Sequence, residues 1–204
     1  MTSTLRVSSF CSTPICTRLY HINKPSQLQH IYSSIMSAQS LQSATTRVVR
    51  TTHAEDGTSV FASDTHITPY APFGPQASVF NIFDTRQSVP VNNTDAIPSF
   101  ADTLPRCPPK GAIFCMTQIQ PGGSAPMHRT QSLDYLVVMS GEIVLVLDGG
   151  EEKTVREGEL IVQQGVNHQW INRGDVPCKI VCVMVGAEKV ALKDGTTFEE
   201  TVFK

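Results

Sequence analysis

The sequence predicts an all-β fold, a sandwich or barrel of short strands. Two observations carry that expectation. From Ala112 onward, short apolar runs of roughly four to eight residues recur with turn residues between them. Helical periodicity is nearly absent along the whole chain.

Residues 1–44 are rich in Ser, Thr and Gln, with scattered Leu, Ile and Tyr and no sustained period, so they read as a poorly structured extension. The extension holds arginines and serines without acids, as a mitochondrial transit peptide does, but lacks the apolar core of a secretory signal. A cytoplasmic location is expected, with a mitochondrial one as the alternative; a start at Met36 would leave a shorter chain. Asn92-Asn93-Thr94 is a glycosylation sequon that means little without an export signal. Thr46–Thr52 and Thr58–Ala62 are β-prone and flank the Asp56-Gly57 turn. Pro69, Pro72, Gly74 and Pro75 make residues 66–76 extended or looped. Ser78–Phe83 is a further strand, and residues 86–110 form a loop with one helical turn near Ser99–Leu104, bounded by prolines. Ala112–Ile119, Asp134–Met139, Glu142–Leu147, Leu160–Gln163, His168–Ile171 and Lys179–Val185 are the dense series of strands. Their turns are Pro121-Gly122-Gly123, Ser140-Gly141, Asp148-Gly149-Gly150 and Asn172-Arg173-Gly174-Asp175. Residues 45–110 are therefore expected to pack on a barrel of 111–190, followed by a tail, 191–204.

Composition narrows the function classes. The chain has 204 residues, 40% of them hydrophobic, enough for one cored domain with extensions. Its net charge of −2 hides an asymmetry. Arg6, Arg18, Lys24, Arg47 and Arg50 are unopposed by any acid before residue 55, so the remainder is acidic and offers no footprint for nucleic acid. No apolar run reaches the roughly 18 residues of a membrane helix. None of the six cysteines forms a CxxC pair, and Cys115 and Cys182 lie in apolar runs, so a reducing compartment is the simpler reading.

Chemistry concentrates between Gly122 and Asn172. The chain reads Gly122-x5-His128-x-Thr130-x3-Asp134-x6-Gly141, then Gly158-x4-Gln163-x-Gly165-x2-His168-x3-Asn172. This stretch resembles the two cupin motifs, G-x5-H-x-H-x3–4-E-x6-G and G-x5-P-x-G-x2-H-x3-N. The second is one residue short here and has Gln163 for proline, and the flanking strands extend the likeness over about residues 110–186. The resemblance implies a cupin-type jelly-roll barrel. It also implies a metal held by His128, Asp134 and His168, with the family's remaining histidine replaced by Thr130, a poor ligand.

Two imidazoles and one carboxylate suit non-haem Fe(II) with positions open to O₂, and the same set could take Zn or Mn. Loss of the metal is the alternative. Asp134 is a methylene shorter than the usual glutamate and could instead serve as a general base. Thr130, Gln163, Trp170 and Asn172 are expected beside these groups or lining a substrate pocket, since Trp170 and Asn172 share the face of His168. Leu136 and Val138 share that of Asp134.

Within the family, the chain resembles small fungal cupins of polyketide and other secondary-metabolite pathways. That implies a metal-dependent oxidoreductase acting on a small aromatic or polyketide intermediate, and a homodimer, with Thr46–Thr52 as a pairing strand. Two alternatives stand beside it. One is a non-redox dehydratase, isomerase, cyclase or decarboxylase in which His168 or Asp134 moves a proton; the other is a non-catalytic small-molecule-binding barrel.

Overall fold

The computed structural model describes residues 45–74, 77–96, 98 and 103–201. The N-terminal extension and most of the expected helical turn near Ser99–Leu104 lie outside them. Among the described residues there are ten strands and no helix, and none of them forms a helix long and apolar enough to cross a membrane.

The strands make three sheets. β1 (Thr46–His53) and β2 (Ser59–Ile67) form a two-stranded ribbon around the Asp56-Gly57 turn, where Asp56 accepts from the Thr58 N–H at 2.8 Å. β3 (Val79–Arg86), β4 (Ala112–Ile119), β5 (Ser132–Ser140), β8 (Leu160–Gln164) and β10 (Cys178–Gly186) form a five-stranded sheet in the order β3-β4-β10-β5-β8. β6 (Glu142–Leu147), β7 (Glu152–Arg156) and β9 (His168–Ile171) form a three-stranded sheet in the order β7-β6-β9. Every pairing between these strands is antiparallel. The two larger sheets share one core, with Leu136, Val138, Ile180 and Cys182 from one and Ile143, Val155 and Trp170 from the other. Along β5 and β10 the core residues alternate with more exposed neighbours, the period-two pattern that lets one face of a strand meet a core.

Three details differ from the sequence expectation. β7 was not expected: in Glu152-Lys153-Thr154-Val155-Arg156 only Val155 is buried, so an edge strand reads as a charged loop. β2 runs on to Ile67, because β1 supplies partners as far as Thr46. β5 begins at Ser132, two residues before Asp134, because β10 continues alongside as far as Gly186. That last shift bears on the site.

Candidate functional site

Two cross-strand pairs build the site. On the five-stranded sheet, Asp134 of β5 lies directly opposite Gln163 of β8. Directly opposed residues on antiparallel strands send their side chains to the same face, and both are buried here. The second pair is His128 and His168. Their backbones exchange two hydrogen bonds, each 2.8 Å, in an isolated antiparallel bridge at the start of β9. The segment before His128 lies along β9 in the same way, with Gly122 donating to Asn172 and Ala125 to Trp170. The imidazoles are thus set by main chain, and their ring centroids stand 4.2 Å apart at 51°.

One turn joins the two pairs. Between β8 and β9, Gly165 sits at φ +56°, a left-handed conformation that side chains rarely adopt. Its N–H donates to the Ser132 carbonyl at 3.2 Å, and its carbonyl accepts from Arg129 Nη1 at 2.6 Å. The Arg129 guanidinium also stacks 4.6 Å over the Phe198 ring. Residues 191–201, expected as a tail, return to this side of the molecule, where the Thr201 N–H donates to the Arg129 carbonyl.

The hydrogen bonds define the chemical state of each group. His128 Nδ1 lies 2.8 Å from the Pro126 carbonyl, and His168 Nδ1 lies 3.0 Å from that of Val166. A carbonyl can only accept, so each Nδ1 carries the proton and each neutral ring keeps its lone pair on Nε2. Gln163 Nε2 donates to Asp134 Oδ2 at 2.9 Å and to His168 Nε2 at 3.2 Å. Asp134 Oδ1 accepts from the Ser132 hydroxyl, and Thr130 Oγ1 approaches Oδ2 at 3.4 Å.

Burial and neighbouring charge shift the titrations. Burial and the proximity of His128 push His168 down to about 4, so it is neutral in ordinary conditions. Burial also lowers His128, opposed by its bond to the Pro126 carbonyl and by the charge of Asp134. Asp134 is raised by burial, against the hydrogen bonds from Ser132, Gln163 and Thr130.

The residues expected around the site divide into two groups. His128, Thr130, Asp134, Gln163 and His168 form one connected cluster, and Trp170 meets His168 edge-on with centroids 5.7 Å apart. Asn172 plays a different part. Its amide donates to the carbonyls of Ile119 and Val176 and its oxygen accepts from the Gly174 N–H, so its polar atoms hold a turn. Ser132 and Arg129 were not singled out from sequence. Ser132 was legible in principle, since it lies two residues before Asp134 on the same face. Arg129 carried no signal, because Gly165 and Phe198 are distant in the chain.

The expected metal set of His128, Asp134 and His168 does not fit as the side chains are arranged. Among the described residues no three His, Cys, Asp or Glu side chains are grouped so as to hold an ion. The donor set explains why. The Asp134 carboxylate is taken up by its three hydrogen-bond donors, and a Gln163 N–H stands on the His168 lone pair.

Comparison with known proteins agrees with the fold and the motifs. Residues 115–184 match the cupin domain family. The cupin-domain-containing oxidoreductase fogC of Aspergillus ruber is 34% identical over 152 residues, which are 71% of this chain and 75% of that protein. The cupin-domain-containing oxidoreductase virC of Hypocrea virens is 31% identical over 156 residues, 72% of this chain and 80% of that protein. Phomopsin biosynthesis cluster protein C' of Diaporthe leptostromiformis is 41% identical over 93 residues, 44% of this chain; the chain spans about half of that relative, 49%.

Proposed function

Because this chain belongs to the cupin family, we propose that it is an oxidoreductase of secondary metabolism acting on a small aromatic or polyketide intermediate. Relatives named as oxidoreductases support the reaction class. The observation that carries the reading is the buried polar cluster in which Asp134, Gln163 and His168 are hydrogen-bonded and the His128 ring stands against that of His168. Polar groups withdrawn from water are costly to keep, and such clusters concentrate at sites of chemistry.

The residues supply proton handling. Oxidation of an alcohol or a partly reduced ring removes two hydrogens, one as a proton and one as a hydride equivalent; with O₂ as the oxidant, both end in H₂O₂. His128 is the less buried imidazole, and it accepts that proton at Nε2 while Nδ1 stays on the Pro126 carbonyl. The imidazolium so formed is favoured by the negative charge of Asp134. His168 stays neutral beside it, which avoids two adjacent cations. Trp170 meets His168 edge-on, an aromatic neighbour that suits a ring or a short carbon chain.

Product mass tests the reading. Incubation with aromatic and reduced polyketide intermediates under air is expected to give a product that has lost two hydrogens, with release of H₂O₂. The same cluster would also support a non-redox isomerisation, dehydration or decarboxylation, since the His128 imidazole and the Asp134 carboxylate can each take up a proton. A product of unchanged mass, or one lacking water or CO₂, would establish that second reading and overturn the first.

A second copy of the chain is the partner we propose. Leu160, Val162, Tyr135, Val137, Val183 and Phe114 are exposed at adjoining register positions on the outer face of the five-stranded sheet. β8 is also an edge strand. An exposed apolar edge invites pairing, and six such side chains are a large part of the roughly 800 Å² per partner of a stable interface. This favours β8 over the Thr46–Thr52 strand, which also has a free edge among the described residues but exposes Val49 as its large apolar side chain.

A further inference from the structure

We propose that Gln163 is a latch that keeps divalent cations off His168, the imidazole whose lone pair it occupies, and that its removal lets that ring ligate a metal ion. The proposal starts from the orientation of one amide. Gln163 Nε2 meets two groups that can only accept there. One is the Asp134 carboxylate, at 2.9 Å. The other is His168 Nε2, at 3.2 Å, whose lone pair is imposed by the bond from Nδ1–H to the Val166 carbonyl. Turning the amide over would set its oxygen against both acceptors at once. The adopted orientation has its own cost, because Gln163 Oε1 is buried without a hydrogen-bond partner among the described residues. The two bonds on nitrogen therefore decide the arrangement.

That arrangement is incompatible with coordination. A nitrogen lone pair accepts either an N–H or a metal ion, not both, and a ligating imidazole must present Nε2 unencumbered. The scaffold around it already has the form of a ligand pair. Both rings are pinned through Nδ1 to a backbone carbonyl, which in metal sites orients the other nitrogen. The main-chain bridge holds the rings 4.2 Å apart. Gln163, a side chain on β8, stands between His168 and an ion. Its position follows from the register that sets residue 163 opposite residue 134.

Cobalt(II) is the probe, since its visible absorption reports coordination without any turnover; failure of the catalytic reading therefore leaves this result interpretable. Each form is stripped with chelator and titrated, with calorimetry alongside. Gln163→Leu is expected to bind about tenfold more tightly than the unaltered protein, the fold-change of one hydrogen bond that no longer has to be broken. Gln163→Glu is expected to bind tighter still, because it adds an anionic donor and removes the blocking N–H. Adding His168→Ala to either variant should abolish the gain. Equal or weaker binding in both variants overturns the proposal, as does a gain that survives His168→Ala. The unaltered protein gives a measurement that needs no variant to fold. Its Gln163 side-chain amide proton resonances are expected to persist when one equivalent of Co(II) is added, and their loss at that point would equally sink the latch.

Discussion

Strand β5 shows two unlike faces within nine residues. Ser132, Asp134, Leu136 and Val138 point inward and are buried, and the first two carry hydroxyl and carboxylate into the barrel. Tyr135, Val137 and Met139 point outward and are exposed. β8 repeats the inversion: Gln163 is 4% exposed while Leu160 is 72% and Val162 68% exposed. A sheet whose only task was to cover a core would have the opposite polarity. We propose that the inner polar groups do chemistry that water would spoil and that the outer apolar groups meet a second copy of the chain. Each face can be tested by a change that leaves the other intact.

The largest expected effect is on the inner face. His128→Ala removes the proposed proton acceptor, and kcat should fall by about a hundredfold to ten-thousandfold. The imidazole is half-buried, so thermal unfolding should move by only a few degrees. Retention of full turnover with every intermediate that the unaltered protein converts would remove His128 from the reaction.

Acid stability comes next, and its sign follows from His168. Its folded value, about 4, lies below the usual 6.5, so the unfolded chain binds the extra proton. The contribution is present above pH 6.5 and is lost as pH falls toward 4. A displacement of that size corresponds to on the order of 3 kcal/mol. Asp134 has the reverse sign: its raised value favours the fold at low pH, a contribution lost as pH rises through that value. Urea unfolding followed from pH 7 to pH 4 should therefore show a steeper loss in the unaltered protein than in His168→Gln. Parallel curves would mean that His168 titrates normally.

These two residues also show how much was legible in the sequence. Motif spacing placed His128, Asp134 and His168, and strand alternation placed Trp170, Leu136 and Val138 on the buried faces where they are found. Spacing could not reveal that Gln163 reaches both Asp134 and His168, because that depends on the register of β5 against β8. Nor could it show Asn172 turning its amide onto the backbone of Ile119, 53 residues away in the chain. β7 was missed because its charges face water, and hydrophobic period finds only strands with a face to hide. Local pattern reports which face is buried; partner choice among polar groups is a property of the assembled sheets.

A smaller effect probes the hinge between the two inner pairs. Gly165→Ala places a side chain at φ +56° and sets its Cβ 3.2 Å from Val190 Cγ2. The backbone conformation alone should cost about 1 kcal/mol. Because Gly165 spaces Gln163 from His168, the variant should also lose turnover beyond what its unfolding midpoint explains. A loss of stability with unaltered kinetics would make the turn a purely structural element.

The smallest effect on the fold belongs to the outer face, which is what makes it informative. Leu160→Lys with Val162→Lys replaces two side chains already in contact with solvent, and such surface changes usually shift stability by within about 0.5 kcal/mol. Both positions lie on β8 opposite Val137 and Tyr135, so the substitutions place cations in the apolar patch without touching Gln163 or Asp134. If that face is where two copies meet, burying unpaired charge there is prohibitive. The double variant should then sediment as a monomer at concentrations where the unaltered protein is a dimer, with product formation per chain retained. A dimer that persists would move the interface elsewhere, to the β1–β2 ribbon first. A monomer that also lost activity would show that the outer face supports the inner one, and the division of labour along β5 would have to be abandoned.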